Sequence, residues 1–343
     1  MTTEKRLFGY TKDGDRVESY TLADGDLSVE ILNYGGIIRS FCISAFSGQR
    51  DVALGFDDVG GYEASTCYHG ALIGRVANRI GDARFSLGGK TYNLDANDGT
   101  NCLHSGSFGY DKRMWDAQTE DGALILTLRD PGVSGGFPGN LDAEVRYTVE
   151  RSRLSIEYKA TCDEDTPVNL TNHCYFNLGG HESGSIENHR ISVFGNYITP
   201  VDDRHVPTGE LMDVTDTPFD LRNRTIIGHG LGSDHPQIAL GGGYDHNYVL
   251  SRNQVRELLP AAVVEYDGLI LQCMTTQPGV QFYSGNFLTG ETGKHGAKYN
   301  MRSGFCLEAQ NWPDAVNKPG FPDCVLHKGE VYRHKTEYVL WET

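Results

Sequence analysis

Glu308 lies in the run Gly304-Phe305-Cys306-Leu307-Glu308-Ala309-Gln310-Asn311-Trp312-Pro313, a carboxylate set among apolar residues, amides, an indole and a proline. Burial in such a segment desolvates a carboxylate and makes it more basic, which suits a general base better than a surface acid. Two histidines upstream occupy settings just as unusual. His104 ends the turn-rich loop Asn97-Asp98-Gly99-Thr100-Asn101-Cys102-Leu103. His173 sits in the run Pro167 to Leu178, where Asn169, Thr171, His173 and Tyr175 alternate with Val168, Leu170, Asn172, Cys174 and Phe176. Read as one strand, this run projects His173 from the same face as Asn169, Thr171 and Tyr175, toward something wet and specific. A solvated outer face is the alternative, and a lone histidine such as His104 is more often a hydrogen-bonded structural group. Together, a basic carboxylate and imidazoles that change charge near neutrality are proton-transfer machinery that needs no metal and no organic cofactor.

Further polar groups accompany the three. Asp245 follows a glycine-rich turn in Gly243-Tyr244-Asp245-His246-Asn247, where capping the turn is an equally simple role. Gln281 is an amide among apolar and aromatic residues in Gln277-Pro278-Gly279-Val280-Gln281-Phe282-Tyr283. Asn78 and Arg79 supply donors in Gly74-Arg75-Val76-Ala77-Asn78-Arg79-Ile80, a segment equally compatible with a surface salt bridge. Planar amides, carboxylates and guanidinium groups can each hold two vicinal hydroxyls, and aromatic rings cover the apolar faces of sugars, so the inventory suits a polyhydroxylated ligand. Neither GxGxxG nor GxxxxGK[ST] occurs, and neither HExxH nor a CxxC pair is present, so no phosphate loop or zinc motif is written in the sequence. His229 and His235, in a glycine-rich loop, read as structural or exposed. The eight cysteines read as buried free thiols.

These side chains must be held by strands. Ala143, Val145, Tyr147 and Val149 alternate with charged and polar residues, and after a turn at Arg151-Ser152-Arg153 so do Leu154, Ile156, Tyr158 and Ala160: an antiparallel hairpin with one wet face. Asp267-Gly268 and Gly88-Gly89 each join two strand-like runs as two-residue hairpin turns. One short helix is expected over residues 252–258. With 42 glycines, strand patterns from about residue 16 to the end and no linker, residues 1–343 read as one large antiparallel all-β domain of two packed sheets. The net charge of -16 disfavours nucleic acid and anionic membrane surfaces, whereas a neutral small molecule meets no such barrier. The N-terminus carries no apolar core of a secretory signal, no window approaches the ~20 apolar residues of a membrane span, and a cytoplasmic location is expected. The sequons at Asn169 and Asn223 then read as chance matches.

Six segments taken together, at residues 74–80, 103–104, 171–178, 243–247, 277–283 and around Glu308, closely resemble the aldose 1-epimerase family in the family's own order across nearly the whole chain. The resemblance implies a large antiparallel β-sandwich, the galactose mutarotase-like supersandwich. It implies Glu308 as proton acceptor and His173 as proton donor. Asn78, Arg79, His104, Asp245 and Gln281 would bind sugar hydroxyls and the ring oxygen, and Tyr175 with the backbone of Cys174 would line the pocket. The implied activity is interconversion of the α and β anomers of free aldohexoses such as D-galactose and D-glucose, by ring opening, rotation about C1–C2 and reclosure. No cofactor takes part, and the enzyme would be a monomer or weak homodimer. Ser105 stands where the family usually has Gly after the histidine, and Cys174 where Ser is common; both replacements are small and bear on substrate preference rather than on the reaction. The rival readings are a hexose-6-phosphate 1-epimerase, a non-catalytic sugar-binding module, and a glycoside hydrolase using Asp245 with Glu308.

Overall fold

The computed structural model describes residues 2–45, 48–132 and 134–343. Its main elements are three antiparallel sheets, of nine, six and five strands, with several short strand pairs between them. The nine-stranded sheet runs, in spatial order, through Asp116–Glu120, Ala123–Asp130, Leu141–Glu150, Arg153–Cys162, Tyr332–Glu342, Leu269–Thr275, Leu259–Tyr266, Arg190–Val193 and Thr225–Ile226. The six-stranded sheet runs through Tyr175–Phe176, Phe305–Gln310, Gly279–Tyr283, Asp245–Val249, Tyr197–Ile198 and Met212–Asp213. The first five strands, from Thr2–Tyr10 to Gly48–Asp51, form the third sheet in sequence order. No helix of the described residues is long and apolar enough to cross a membrane.

Local patterning explains most of this. In the hairpin of Leu141–Glu150 and Arg153–Cys162, Val145 pairs with Tyr158 and Tyr147 with Ile156, and the apolar set is buried on one face. Its turn is the pair Arg151-Ser152, one residue shorter than expected. Asp267 and Gly268 both take positive φ, 47° and 78°, the double left-handed geometry of a type I′ turn, and so do Gly88 and Gly89.

Two expectations fail. Residues 252–258 form no helix; the α-helices among the described residues are Val59–Ala64, Ile227–Leu231 and Pro236–Gly241. Ser251 Oγ accepts the N–H of Asn253 in a local side-chain turn that is not continued as a helix. The run Pro167 to Leu178 is not one strand either. It breaks into Thr166–Pro167, Thr171–Asn172 and Tyr175–Phe176, which pair with three different partners. Asparagine side chains divert the backbone. Asn169 exchanges two hydrogen bonds with the main chain of Asn311, and Asn172 binds Gly70 O while accepting the N–H of Cys174.

The two-sheet expectation also understates the fold, because one face of the nine-stranded sheet is covered by both other sheets. Leu22, Val29, Ile31 and Phe41 of the five-stranded sheet join Leu124, Leu126 and Val145 in the same core as Phe176, Val280, Phe282, Phe305 and Leu307 of the six-stranded sheet. Tyr338 ties the layers together, donating from its hydroxyl to Leu307 O at 2.8 Å and packing on Phe176 with ring centroids 5.1 Å apart. The core therefore holds one face of the six-stranded sheet rigid and leaves the other free to carry polar groups.

Candidate active site

Alternation along Phe305–Gln310 sorts its side chains. Phe305 and Leu307 enter the core, so Cys306, Glu308 and Gln310 point to the opposite face. Register places Gln281 beside Glu308, Asn247 beside Gln281, Asp245 beside Tyr283, and Tyr175 beside Cys306. A row of polar and aromatic groups thus crosses four strands and floors a cavity of about 400 Å³. A second wall comes from short paired segments. Arg79–Ile80 pairs with Cys102–Leu103, which brings Asn78 against His104. Asn78 and His104 both take left-handed φ, 63° and 53°. Ser105 is left-handed too, at 69°, which is why a glycine would sit easily there; its hydroxyl compensates by bonding both N–H and C=O of Val76.

Glu308, His173, His104, Asn78, Arg79, Tyr175 and Asp245 all line the cavity. Gln281 does not line it but holds what does: its Nε2 donates to Asp245 Oδ1 at 2.7 Å, while its Oε1 has no partner. Cys174 corrects the expectation. Its side chain belongs to the apolar core and its N–H is taken by Asn172 Oδ1, so it presents neither group to the cavity. Asn169 and Thr171, expected on the wet face with His173, are buried away from the cavity as well. Arg75 is no surface group: it is 1 % exposed and paired with Asp130, whereas Arg79 reaches the cavity and donates from Nε to Asp98 Oδ2 at 2.7 Å. Asp98, Leu103 and Tyr283 line it too, as do Tyr68, Phe287, Cys67, Thr66 and His205, which the sequence did not mark as site residues. Tyr68 and Phe287 sit in irregular segments without periodicity, where only an aromatic near a glycine or asparagine was there to be noticed.

The electrostatics favour neutral groups. Glu308 is 2 % exposed, and burial first, then the charge of Asp245, pushes its carboxyl well above the usual 4.5, with Arg79 opposing. Its Oε1 lies 3.7 Å from His173 Nε2, and its Oε2 has no hydrogen-bond partner. Burial lowers His173 to about 3. Its Nδ1 lies 3.5 Å from Cys306 Sγ, a thiol that burial keeps protonated by pushing it well above 9, and its Nε2 faces Glu308. His104 is held well below 6.5 by burial, then by His173 and Arg79. Its Nδ1 accepts the N–H of Asn78 at 3.0 Å, so this imidazole is a neutral donor through Nε2. Tyr68 packs edge-on to His104 with centroids 4.6 Å apart, and His104 lies edge-on to His173 at 5.4 Å. Two clusters among the described residues carry three groups whose types can ligate a metal: His104, His173 and Glu308, and beside them Cys67, His69 and Glu291. The arrangement offers an acid–base pair, a fixed donor, paired hydrogen-bonding groups and aromatic walls around a sugar-sized space.

Comparison with known proteins places this geometry. A family model described as Aldose 1-epimerase matches residues 18–339. Galactose mutarotase of Mus musculus is 42% identical over 339 residues, covering 98% of each chain. Aldose 1-epimerase of Escherichia coli (strain K12) is 37% identical over 333 residues, covering 95% of this chain and 96% of the relative. The solved structure of galactose 1-epimerase from Lactobacillus acidophilus NCFM superposes with a TM-score of 0.86 at 28% identity, covering 99% of both chains.

Proposed function

The chain belongs to the aldose 1-epimerase family and interconverts the anomers of aldoses, and from that premise we propose that Glu308 and His173 are its proton-transfer pair, acting on free D-galactose and D-glucose. The observation that carries this reading is the unpartnered Oε2 of Glu308, buried at the cavity floor with the His173 ring nitrogen 3.7 Å from its other oxygen. A desolvated carboxylate oxygen without a partner is costly unless a ligand hydroxyl supplies one.

Burial discourages charge on both members, so in the empty cavity the pair holds one proton as carboxylic acid and neutral imidazole. Sugar hydroxyls bonded to the carboxylate favour its ionised form, and with the ring hydrogen of His173 on Nδ1 the proton moves to the vacant Nε2. Glu308 then removes the proton of the anomeric hydroxyl while His173 delivers its proton to the ring oxygen. The C1–O5 bond breaks, C1 becomes an aldehyde carbon, and both buried groups return to the neutral forms that their surroundings favour. Rotation about C1–C2 presents the other face of the aldehyde. Reclosure runs the proton moves backward, so no proton is consumed. His104, a neutral donor, holds a sugar oxygen without competing for the proton, and Arg79, Asn78 and Asp245, the last fixed by Gln281, hold hydroxyls. Positioned acid and base groups of this kind each contribute on the order of 10²–10⁴ in rate. All three sheets share one core, which supports treating residues 1–343 as one catalytic domain.

A phosphorylated hexose is the weaker candidate. Among the described lining residues Arg79 is the one Lys or Arg, it is already paired with Asp98, and Asp98, Asp245 and Glu308 are carboxylates facing the same space. Polarimetry on freshly dissolved α-D-galactose and α-D-glucose tests the assignment. Faster approach to the same final rotation is expected with both sugars. A folded enzyme that accelerates neither would overturn the substrate assignment.

A further inference from the structure

One cluster of ligating groups at this cavity takes no part in the proton transfers. Cys67, His69 and Glu291 each present a ligand atom, and the three atoms lie within 4.8 Å of one another. His69 Nε2 is 2.9 Å from Glu291 Oε2. His69 is buried and boxed by the rings of Phe56, Tyr175 and Tyr299, and its Nδ1 has no hydrogen-bond partner. Cys67 is half-buried and lines the cavity wall itself. Glu291 comes from a distant hairpin, Glu291–Thr292 paired with Lys298–Tyr299, so the cluster joins two separate parts of the chain.

We propose that Cys67, His69 and Glu291 bind a divalent cation of the zinc class at the wall of the sugar cavity. The donor set selects the ion. A sulfur and an imidazole nitrogen suit zinc and its neighbours, while magnesium and calcium require oxygen cages. Bonds of about 2.0 Å to nitrogen and oxygen and about 2.3 Å to sulfur put tetrahedral ligand atoms roughly 3.3–3.8 Å apart, so the cluster closes on an ion with side-chain shifts on the order of 1 Å. The half-buried Cys67 and Glu291 have room for such shifts. One proton leaves the Cys67 thiol as the metal–sulfur bond forms, and thiolate plus carboxylate then match the charge of the ion. Three protein ligands leave a fourth position open, and because Cys67 borders the cavity that position can take a water or a ligand hydroxyl.

Cobalt(II) is the probe, because its thiolate complexes absorb in the near ultraviolet whereas nitrogen and oxygen ligation alone does not produce that band. One equivalent of cobalt added to the metal-stripped full chain should produce the thiolate charge-transfer band, and zinc should abolish it by displacement. Cys67→Ser should lose the band with an unchanged melting temperature, and Glu291→Gln should weaken cobalt binding about tenfold or more. The companion cluster of His104, His173 and Glu308 has no sulfur, so binding there gives no such band. Absence of the band in the unaltered protein, its survival in Cys67→Ser, or unaltered affinity in Glu291→Gln would each overturn the site and leave a hydrogen-bonded cluster only. The measurement reads binding and not turnover, so its outcome is independent of the anomer-exchange mechanism.

Discussion

At the scale of single residues, the proposed proton transfer rests on one carboxyl that burial keeps protonated and one imidazole that burial keeps neutral. Glu308→Gln removes the base but keeps a planar group of the same size, so turnover should fall by about 10²-fold or more while sugar affinity changes little. His173→Asn should behave likewise. Stopped-flow polarimetry and equilibrium binding separate the two effects, and a near-normal rate in Glu308→Gln would remove it from the mechanism. The same substitution has a stability consequence. The folded carboxyl stays protonated well above 4.5, and unfolding lets it ionise. Wild-type stability therefore declines as pH rises from the ordinary carboxyl value through the raised folded one. Gln has no proton to lose. Glu308→Gln should melt higher than wild type at about pH 7.5, and the gain should vanish near about pH 4. Equal melting temperatures at both pH values would show that burial does not hold this carboxyl neutral. Glu308, His173 and His104 were readable in the sequence because polar groups in apolar or turn-rich runs are unusual. Tyr68 and Phe287 were not, since an aromatic in an irregular loop shows no side it must face.

At the scale of elements, the strand Phe305–Gln310 carries the site by alternation: its core face anchors it and its other face presents Glu308. The segment Gly74 to Ile80 is anchored differently. Arg75, 1 % exposed, donates to Asp130 at 2.9 Å and to the carbonyls of Pro138 and Gly139, and so pins the loop that ends in Asn78 and Arg79 to the strand Ala123–Asp130. Asp130→Ala would strand a buried guanidinium and should cost about 3–5 kcal/mol. Denaturant unfolding measures this directly, and a loss below about 1 kcal/mol would mean that water or another group reaches Arg75. Sequence reading left Arg75 and Arg79 equivalent. Their roles differ because one meets Asp130 from a distant strand and the other meets the cavity.

At the scale of the whole molecule, burial of uncharged imidazoles makes the fold acid-sensitive. His173, His189 and His246 are lowered to about 3 and His334 to about 4, in each case chiefly by burial, and His104 is lowered as well. Their unfolded values lie near 6.5, so the unfolded chain takes up protons that the folded chain refuses. The stability of neutral burial is complete above 6.5 and is lost as pH falls toward 3. Glu308, Asp111 and Asp314, whose carboxyls burial raises, act in the opposite sense but are fewer. The melting temperature should therefore drop steadily between about pH 6.5 and 5, and a flat profile across that window would contradict the buried neutral state of these rings. Sequence alone determined the antiparallel hairpins, the turn types at Asp267-Gly268 and Gly88-Gly89, the absence of a long helix and the unusual settings of Glu308 and His173, because alternation, turn chemistry and side-chain type are local properties. Only the tertiary structure decided that three sheets share one core, that the run around His173 breaks into pieces, that Cys174 turns to the core and Gln281 to Asp245, and that Cys67 and His69 meet Glu291. Those outcomes depend on which distant backbone group or side chain arrives alongside, and strand register between remote segments is set by packing rather than by any local pattern.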